Sequence, residues 1–500
     1  MSRLGRSTLA LSLSAASFLV AGLVPFAGRA TAATGVAAQR EWPSYGADIA
    51  NSRTVAGGPA PTSVPSLVQA WRDDFTDGDF TGTPVVAGGV AYVGSNGGVV
   101  RAIQAVGGGA RPAGSVLWST SVAPDPVNGS LAVSGGTRPP GTVLWSMSVS
   151  PDPINGSLAV SGATVYVPVA KVGGPYLVAL DAGTGHQLWS TVLDTSTDAD
   201  VYGSPTVAPA PDGRLFVLEG VSAVSGDPAS PLRGSVTALD AASGAVVWKQ
   251  YTVPPGFNGG AVWSTPSVDL ATGAVYIGTG NAYSGQAAPT TDAMLELDLA
   301  TGAVRGFFQA TSGDVFSSST PGLDFDFGAS PNLIDVGGRH LVGEGQKSGA
   351  YWVLDRTTMQ PVWHAQVGPG SVLGGVLGST AYDSAADQIA GPISAPGYVW
   401  SVQASTGTPR WVSAGVGDPV HFSPVAISNG VVYSLLSGGF VGAWSEQTGV
   451  PLAQLSLSKP GSPTPEASLG GVSVADGLVV ANTGTQSSNG SVVAFRAPTG

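Results

Sequence analysis

The sequence contains no cysteine, only four lysines in 500 residues, and only 10% charged residues. The absence of cysteine excludes disulfide bonds, haem attached through Cys-x-x-Cys-His, and zinc or iron–sulfur centres held by thiolates. The net charge of −12 and the scarcity of lysine argue against nucleic acid or an anionic membrane as a partner. Packing and chain topology alone must therefore hold the fold together.

Segments of helical periodicity are also missing beyond the N-terminus. The chain is instead rich in turn formers, with 73 glycines and 38 prolines. This composition is typical of many short strands joined by tight turns, so we expect an all-β protein.

The N-terminus has the pattern of a secretory signal peptide. Arg3 and Arg6 precede an apolar stretch at residues 9–26, and Ala-Thr-Ala at residues 30–32 is a small-residue cleavage site. We therefore expect residues 1–32 to be removed, leaving a secreted or cell-envelope protein without a membrane span. The alternative is a retained membrane anchor, because the apolar stretch is long. Residues 33–500 are expected to form a single domain.

One motif recurs along the chain. It reads ALDAGTGHQLW at residues 179–189 and ALDAASGAVVW at residues 238–248. Weaker copies occur at residues 295–308, 353–363, 402–411 and 443–452. Each copy predicts a hairpin that cannot bury both faces alone, so repetition about every 50 residues indicates a radial or linear array of small sheets.

The two ends of the chain indicate a closed ring. Eight units can be counted, and the last, at residues 491–500, lacks the Trp-bearing strand that ends most other units. Residues 66–75 contain such a strand, with Trp71, and nothing before it. Pairing the two would remove an exposed strand edge. We therefore predict an eight-bladed β-propeller of four-stranded antiparallel blades, closed by an N-terminal strand, with seven blades as the alternative.

A tandem duplication within residues 114–162 interrupts the repeat pattern. Residues 114–135 match residues 141–162 at 18 of 22 positions. Both copies cannot form the same strands, so one copy is expected to be extruded from the blades. It is interpreted either as a tolerated insertion or as an added loop at the rim.

Four motifs resemble those of quinoprotein dehydrogenases, which use pyrroloquinoline quinone (PQQ), and the polyvinyl-alcohol dehydrogenase-like group is the most similar. They are the WPSYG opening with NSR at residues 42–53, GTGNAYSG at residues 278–285, LDFDFGASPNL at residues 323–333 and GQKSGAYWVLDR at residues 345–356. The Ala-Leu-Asp repeat is also similar to the repeat of PQQ proteins. The resemblance implies a propeller with PQQ and Ca²⁺ near its axis.

The resemblance assigns cofactor contacts to two residues. Trp263 matches the residue whose indole stacks on the quinone. Asn281 matches an amide ligand of Ca²⁺, a cation that prefers oxygen donors. The structural alternatives are a tryptophan that packs between blades and an asparagine in a turn.

Three charged residues would complete the site. Asp326 matches the catalytic base, and Asp324 is the neighbouring acid. Both would also be ligands of the cation. Lys347 matches the residue that binds and polarises the quinone oxygens. The alternatives are a solvated acidic turn and an ordinary surface lysine.

The sequence departs from the family pattern at one expected Ca²⁺ ligand. The slot falls at Val224 or Ser225, neither of which is acidic, although Glu219 and Asp227 flank it. The arginines that could bind the PQQ carboxylates are only candidates, namely Arg53, Arg101 and Arg233.

If the site is intact, the resemblance implies oxidation of an alcohol, polymeric alcohols included, with electrons passing to an external acceptor such as a cytochrome. The main alternative is a non-catalytic binding or scaffold propeller that has lost the cofactor. A glycan-cleaving propeller is less favoured, because no second acid motif pairs with Asp324 and Asp326. Four histidines show no metal-ligand spacing and are expected on the surface or in turns: His186, His340, His364 and His421.

Overall fold

The computed structural model describes residues 40–107, 112–121, 152–223, 229–317, 319–413, 420–485 and 488–498. These ranges form eight antiparallel sheets, and the helix found in them is a single 3₁₀ turn at Val64–Ser66. Nothing helical within them has the length and apolar character needed to cross a membrane. The prediction of an all-β, eight-bladed propeller is confirmed. The signal peptide at residues 1–32 lies outside the described residues and stays a prediction.

The first four blades each contain four strands in chain order, and blade 3 carries one short extra strand. Their bounds are Val85–Ala87, Val90–Gly94, Val99–Gln104 and Val116–Ser121 in blade 1; Ala159–Ser161, Thr164–Val169, Tyr176–Asp181 and Gln187–Val192 in blade 2; Thr206–Pro209, Leu215–Ala223, Ser235–Asp240 and Val246–Tyr251, with the extra Ala199–Asp200, in blade 3; and Ser267–Asp269, Ala274–Gly278, Ala293–Asp298 and Val304–Gln309 in blade 4.

The last four blades repeat the plan, with N-terminal strands added to blades 7 and 8. Their bounds are Asn332–Val336, Arg339–Gly345, Ala350–Asp355 and Pro361–Gln366 in blade 5; Ala381–Asp383, Gln388–Ile393, Tyr398–Gln403 and Pro409–Val412 in blade 6; Val425–Ser428, Val431–Leu436, Phe440–Ser445 and Pro451–Ser456, with Thr54–Val55, in blade 7; and Ser473–Ala475, Leu478–Asn482, Ser491–Arg496 and Val68–Asp74 in blade 8.

The ring closes as the sequence predicts. The first strand of every blade contacts the first strand of the next, and that of blade 8 contacts that of blade 1. The N-terminal strand Val68–Asp74 pairs antiparallel with Ser491–Arg496, with Trp71 opposite Ala494. It supplies the missing outer strand of blade 8, which excludes the seven-bladed alternative.

The recurring motif joins neighbouring blades. In six places the tryptophan of one outer strand packs on a positive-φ glycine in the corresponding turn of the next blade: Trp71 on Gly114, Trp118 on Gly185, Trp189 on Gly244, Trp248 on Gly302, Trp363 on Gly407 and Trp411 on Gly449. In five of the six, the indole N–H also donates to a main-chain carbonyl of that turn. The tryptophan and the glycine of the repeat therefore form one contact shared by two blades.

The tandem duplication is divided between two blades. Its first copy supplies the outer strand of blade 1, Val116–Ser121, and its second copy supplies the first strand of blade 2, Ala159–Ser161. We expect one copy to be extruded from the blades, and that part of the chain would fall in residues 122–151. These residues lie outside the described ranges, so the extrusion stays a prediction.

The opening segment at residues 42–53 ties the blades together. Its main chain forms hydrogen bonds with six blades, through the pairs Trp42–Val86, Pro43–Val160, Ile49–Val268, Ala50–Leu333, Ser52–Tyr382 and Arg53–Ile427. We call these residues the N-terminal clamp.

Arg53 anchors this clamp. Its side chain is fully buried, and its Nε donates to the carbonyl of Val425 at 2.7 Å. A second guanidinium nitrogen donates to the carbonyl of Tyr45, and the guanidinium lies 4.6 Å from the centre of the Tyr45 ring. Burial lowers the pKa of Arg53 to about 10. Main-chain carbonyls therefore hold the guanidinium in place inside the clamp.

The contact between tryptophan and glycine can be tested with a matched pair of substitutions. Gly302 and Gly313 both have positive φ, 75° and 73°. A Cβ on Gly302 would lie 2.5 Å from Trp248 Cε3, whereas a Cβ on Gly313 would meet nothing within 4 Å. Both changes to alanine should cost about 1 kcal/mol through backbone strain, and Gly302→Ala should cost a further ~1–3 kcal/mol through overpacking.

The measurement is urea unfolding followed by tryptophan fluorescence. Equal free energies of unfolding for Gly302→Ala and Gly313→Ala would show that the tryptophan contact adds nothing beyond the backbone requirement.

Candidate active site

The blade topology brings four connecting segments of blades 3 to 5 to one end of the propeller. In each blade the first and second strands are antiparallel, so the start of the first and the end of the second lie together. Trp263 precedes the first strand of blade 4, and Asn281 follows its second strand. Asp326 precedes the first strand of blade 5, and Lys347 follows its second strand. Residues far apart in the sequence thus become neighbours.

These segments, together with Tyr202, Ser222 and Ala223 at blade 3, line a cavity of about 410 Å³. Its walls contain all five predicted site residues, two tyrosines, one phenylalanine and several small residues: Trp263, Asn281, Asp324, Asp326, Lys347, Tyr202, Tyr283, Phe316, Ser222, Ser317, Ala223, Ala261 and Gly280. A second cavity of about 180 Å³ shares Tyr202 and Trp263 with it. The predicted residues therefore converge, although their convergence does not by itself test their roles.

An ammonium between two carboxylates forms part of the cavity wall. Lys347 Nζ donates to Asp324 Oδ1 at 3.0 Å and to Asp326 Oδ2 at 2.9 Å. The other oxygen of Asp326 accepts the main-chain N–H of Asn281 at 2.9 Å. All three charged side chains are buried, so these charge-assisted bonds are well shielded from water.

The electrostatics follow from this burial. Burial and the neighbouring Asp326 raise the pKa of Asp324 to about 6, although Lys347 opposes the shift. Burial would lower the pKa of Lys347, but Asp326 and Asp324 outweigh it and raise that pKa. The cluster therefore contains two acidic groups and one basic group.

Asp292 lies close to these groups and adds no charge. It is fully buried, and neither carboxyl oxygen has a hydrogen-bond partner within the described ranges. Burial and the carboxylate of Asp326 raise the pKa of Asp292 to about 10. It is therefore a neutral acid at pH 7 and leaves the negative charge on Asp324 and Asp326.

Asn281 is oriented to present an oxygen. Its amide nitrogen donates to the carbonyls of Ala282, at 2.6 Å, and of Phe316, at 2.7 Å. Because both amide hydrogens are used, Oδ1 is the atom available to a ligand. An amide oxygen beside two carboxylates is a donor set that a hard divalent cation prefers.

The indole of Trp263 is half-buried in the wall. A Cβ on Gly328 would lie 2.1 Å from Trp263 Cη2, so glycine is required for this close approach. On the cavity side, Lys347 Nζ lies 5.2 Å from the centre of the indole ring. A flat aromatic surface thus adjoins the charged cluster.

Two residues that the sequence did not single out hold the acidic loop in place. Asp314 accepts the main-chain N–H groups of Leu323, at 3.0 Å, and Phe325, at 2.9 Å. Gln346 donates its side-chain amide to the carbonyl of Phe325 at 2.7 Å. Gln346 belongs to a motif noted above, whereas no local pattern marks Asp314.

Other candidates fall outside the cavity walls. Arg53, Arg101 and Arg233 do not line either cavity described above. Glu219, which flanks the expected acidic slot, is fully buried and does not line the 410 Å³ cavity, and burial raises its pKa to about 8.

Two further outcomes concern the flanking acids and the histidines. Val224, Ser225 and Asp227 lie outside the described residues.

The expectation that all four histidines lie on the surface or in turns is wrong for His421, which is fully buried with Nε2 2.7 Å from Ser434 Oγ.

Two family models match the chain. The PQQ model described as "Glucose/ethanol/alcohol dehydrogenase, beta-propeller domain" matches residues 254–374, a range that contains all five predicted site residues. The model described as "Outer membrane protein assembly factor BamB" matches residues 110–306.

Curated relatives include two polyvinylalcohol dehydrogenases. The one from Pseudomonas sp. is 30% identical over 388 residues, which is 69% of this chain and 54% of that protein. The one from Sphingopyxis sp. is 34% identical over 241 residues, or 41% of this chain and 36% of that protein. The chain therefore spans about half the length of the first relative and 36% of the length of the second.

Solved structures share the fold. A quinohemoprotein alcohol dehydrogenase from Pseudomonas putida has a TM-score of 0.70 at 18% identity, covering 92% of this chain and 80% of that chain. BamB from Moraxella catarrhalis has a TM-score of 0.55 at 17% identity, covering 86% of this chain and 99% of that chain. With the sequence relatives and the PQQ repeat, these matches confirm the resemblance seen in the motifs: the chain is a quinoprotein dehydrogenase-like β-propeller of the kind found in polyvinyl-alcohol dehydrogenases.

Proposed function

We propose that this protein oxidises an alcohol, with PQQ as the electron acceptor and a divalent cation, Ca²⁺, beside it. The observation that carries the proposal is the convergence of an aromatic face, an amide oxygen, two carboxylates and one ammonium in a single cavity. The dehydrogenases named among the relatives support the same activity.

The residues present fit these two groups. The two carboxyl groups of the cluster and the amide oxygen of Asn281 suit a hard cation, which Asn281, Asp324 and Asp326 would hold. Trp263 offers a flat surface to the quinone, and Lys347 an ammonium to its oxygens. When bound, the quinone supplies a two-electron acceptor for hydride, and the cation polarises its carbonyl.

Asp326 is the residue proposed to accept the hydroxyl proton of the alcohol. The N–H of Asn281 and the ammonium of Lys347 both donate hydrogen bonds to its carboxyl group. These two bonds orient the carboxylate, which can take up a proton at an oxygen atom. Asp314 and Gln346 hold the loop that carries it, which keeps the base in a fixed place.

The substrate is proposed to be a primary or secondary alcohol, polymeric alcohols included, because a second cavity shares the wall residues Tyr202 and Trp263 with the first. Electrons would leave to an external acceptor such as a cytochrome. Residues 1–32 and the named relatives favour an extracytoplasmic location.

A scaffold function is the alternative, and the match to the BamB model at residues 110–306 supports it in part. The dehydrogenase model, however, spans every charged residue of the cavity. A scaffold has no need for two buried carboxylates around one ammonium, an arrangement that is costly to desolvate.

Reconstitution of the purified protein with PQQ and Ca²⁺ tests the proposal. We expect quinone binding, seen as quenching of tryptophan fluorescence, and dye-linked alcohol oxidation. Asp326→Asn should keep the quinone bound and lower kcat by about 10²–10⁴-fold, because it preserves the shape but removes the base. Asp355→Asn, in a turn of blade 5 away from the cavity walls, is the control.

Absence of quinone binding at micromolar concentrations would reject the cofactor and favour a scaffold. Full activity of Asp326→Asn would reject only the assignment of the base.

The binding of the cation should depend on pH. Because the pKa of Asp324 is raised to about 6, this carboxyl gains a proton as the pH falls from 7.5 to 5 and ceases to attract a cation. Ca²⁺ affinity, measured by calorimetry, should fall across this range in the wild type. In Asp324→Asn it should be weaker at pH 7.5 and change less with pH, whereas an unaltered pH profile in this variant would contradict Asp324 as a ligand.

A further inference from the structure

Tyr283 occupies a fixed place in the wall of the cavity. It follows Asn281 by two residues, lines the cavity with Asp326, and is only 6% exposed. Its ring belongs to the apolar cluster that includes Val201 and Ala261, against which Trp263 also packs. The ring is therefore held by packing within this cluster.

The main chain around this tyrosine is also held. Asn258 Oδ1 accepts the N–H groups of Tyr283 and Ser284, both at 3.2 Å. The amide of Asn258 donates in turn to Ser284 Oγ at 2.8 Å. A side chain fixed in this way can hold a ligand without a large loss of conformational entropy.

The hydroxyl of Tyr283 differs from those of most other tyrosines in the described residues. Within the described ranges it has no hydrogen bond, and it is not among the polar atoms sealed from solvent. Several other phenols donate to protein oxygens, namely Tyr166, Tyr351, Tyr382 and Tyr398. A buried tyrosine normally finds a partner for its O–H, so this donor is left for a molecule in the cavity.

A tyrosine hydroxyl carries its proton at neutral pH, and this decides which role the hydroxyl of Tyr283 can take. It can donate a hydrogen bond, but it cannot act as a base.

We propose that Tyr283 is a substrate-binding residue, whose phenol O–H donates to the oxygen of the alcohol and turns the hydroxyl proton of that alcohol towards Asp326. This inference rests on the proposed function and deepens it. When the alcohol is oxidised, its O–H proton passes to Asp326 and its carbinol hydrogen leaves as hydride to the quinone. Tyr283 keeps its own proton throughout, so atoms and charges balance without it.

The test is Tyr283→Phe in the protein loaded with PQQ and Ca²⁺. This change leaves the ring in its apolar cluster, so the fold should be kept. Tyr251→Phe is the matched control, because that ring lies in the outer strand of blade 3 against Arg233, away from the cavity walls. Tyr202→Phe removes the second phenol hydroxyl of the same cavity. It shows whether any hydroxyl in this cavity would bind the alcohol equally well.

Two measurements are needed. The first is kcat and KM against pH for a secondary alcohol, and the second is calorimetric binding of tert-butanol, which has no carbinol hydrogen and cannot be oxidised. For Tyr283→Phe we expect about tenfold lower kcat/KM, about tenfold weaker tert-butanol binding, and the wild-type pH profile, since one hydrogen bond is lost and the base remains. Tyr251→Phe should match the wild type in both.

The outcomes separate this inference from the proposed function. If the wild type oxidises alcohols and Tyr283→Phe binds tert-butanol as tightly as the wild type, Tyr283 is not a substrate ligand and the inference fails alone. A changed pH profile with unchanged tert-butanol binding would also overturn it, because Tyr283 would then act in proton transfer. An equal loss of tert-butanol binding in Tyr202→Phe would show that the effect comes from the polarity of the cavity and not from Tyr283 itself. If the wild type neither binds PQQ nor oxidises alcohols, both proposals fall.

Discussion

The packing of an outer-strand tryptophan on a turn glycine of the next blade is the contact on which the molecule depends. Without disulfides, neighbouring blades must be joined by side-chain contacts, and this one recurs at six of the eight junctions. The indole covers the glycine, and in most copies its N–H also satisfies a carbonyl of the same turn, as in Trp248 and Leu299. Apolar burial and a hydrogen bond thus act together at most of these junctions between blades.

A scaffold held at its outer seams leaves the connections near the axis free to vary. The cavity is built from such connections in blades 3 to 5, and its charged side chains are fixed by neighbours that do not line it, such as Asp314 and Gln346. The repeat therefore carries stability, and the segments between repeats carry the chemistry.

Much of this could be predicted from the sequence because each signal was local or repeated. The Ala-Leu-Asp hairpins predict the blades, and the unpaired strand around Trp71 predicts closure. The motifs around Asn281, Asp326 and Lys347 predict the site. Other features depend on contacts between distant segments: Arg53 has the type of a ligand residue but is held by carbonyls, His421 is buried by a neighbouring strand, and nothing in the residues around Tyr283 indicates an unpaired hydroxyl.

The N-terminal clamp has a consequence for how the chain reaches its final state. Residues 42–53 hydrogen-bond to six blades, and the strand Val68–Asp74 completes the eighth. These residues are synthesised before the blades they contact, and Ser491–Arg496, the partner of Val68–Asp74, follows every other described strand in the chain. Open repeat arrays can gain stability one unit at a time, but this ring cannot. Val68–Asp74 must wait unpaired until Ser491–Arg496 has been made, which makes it the strand most exposed to misassembly.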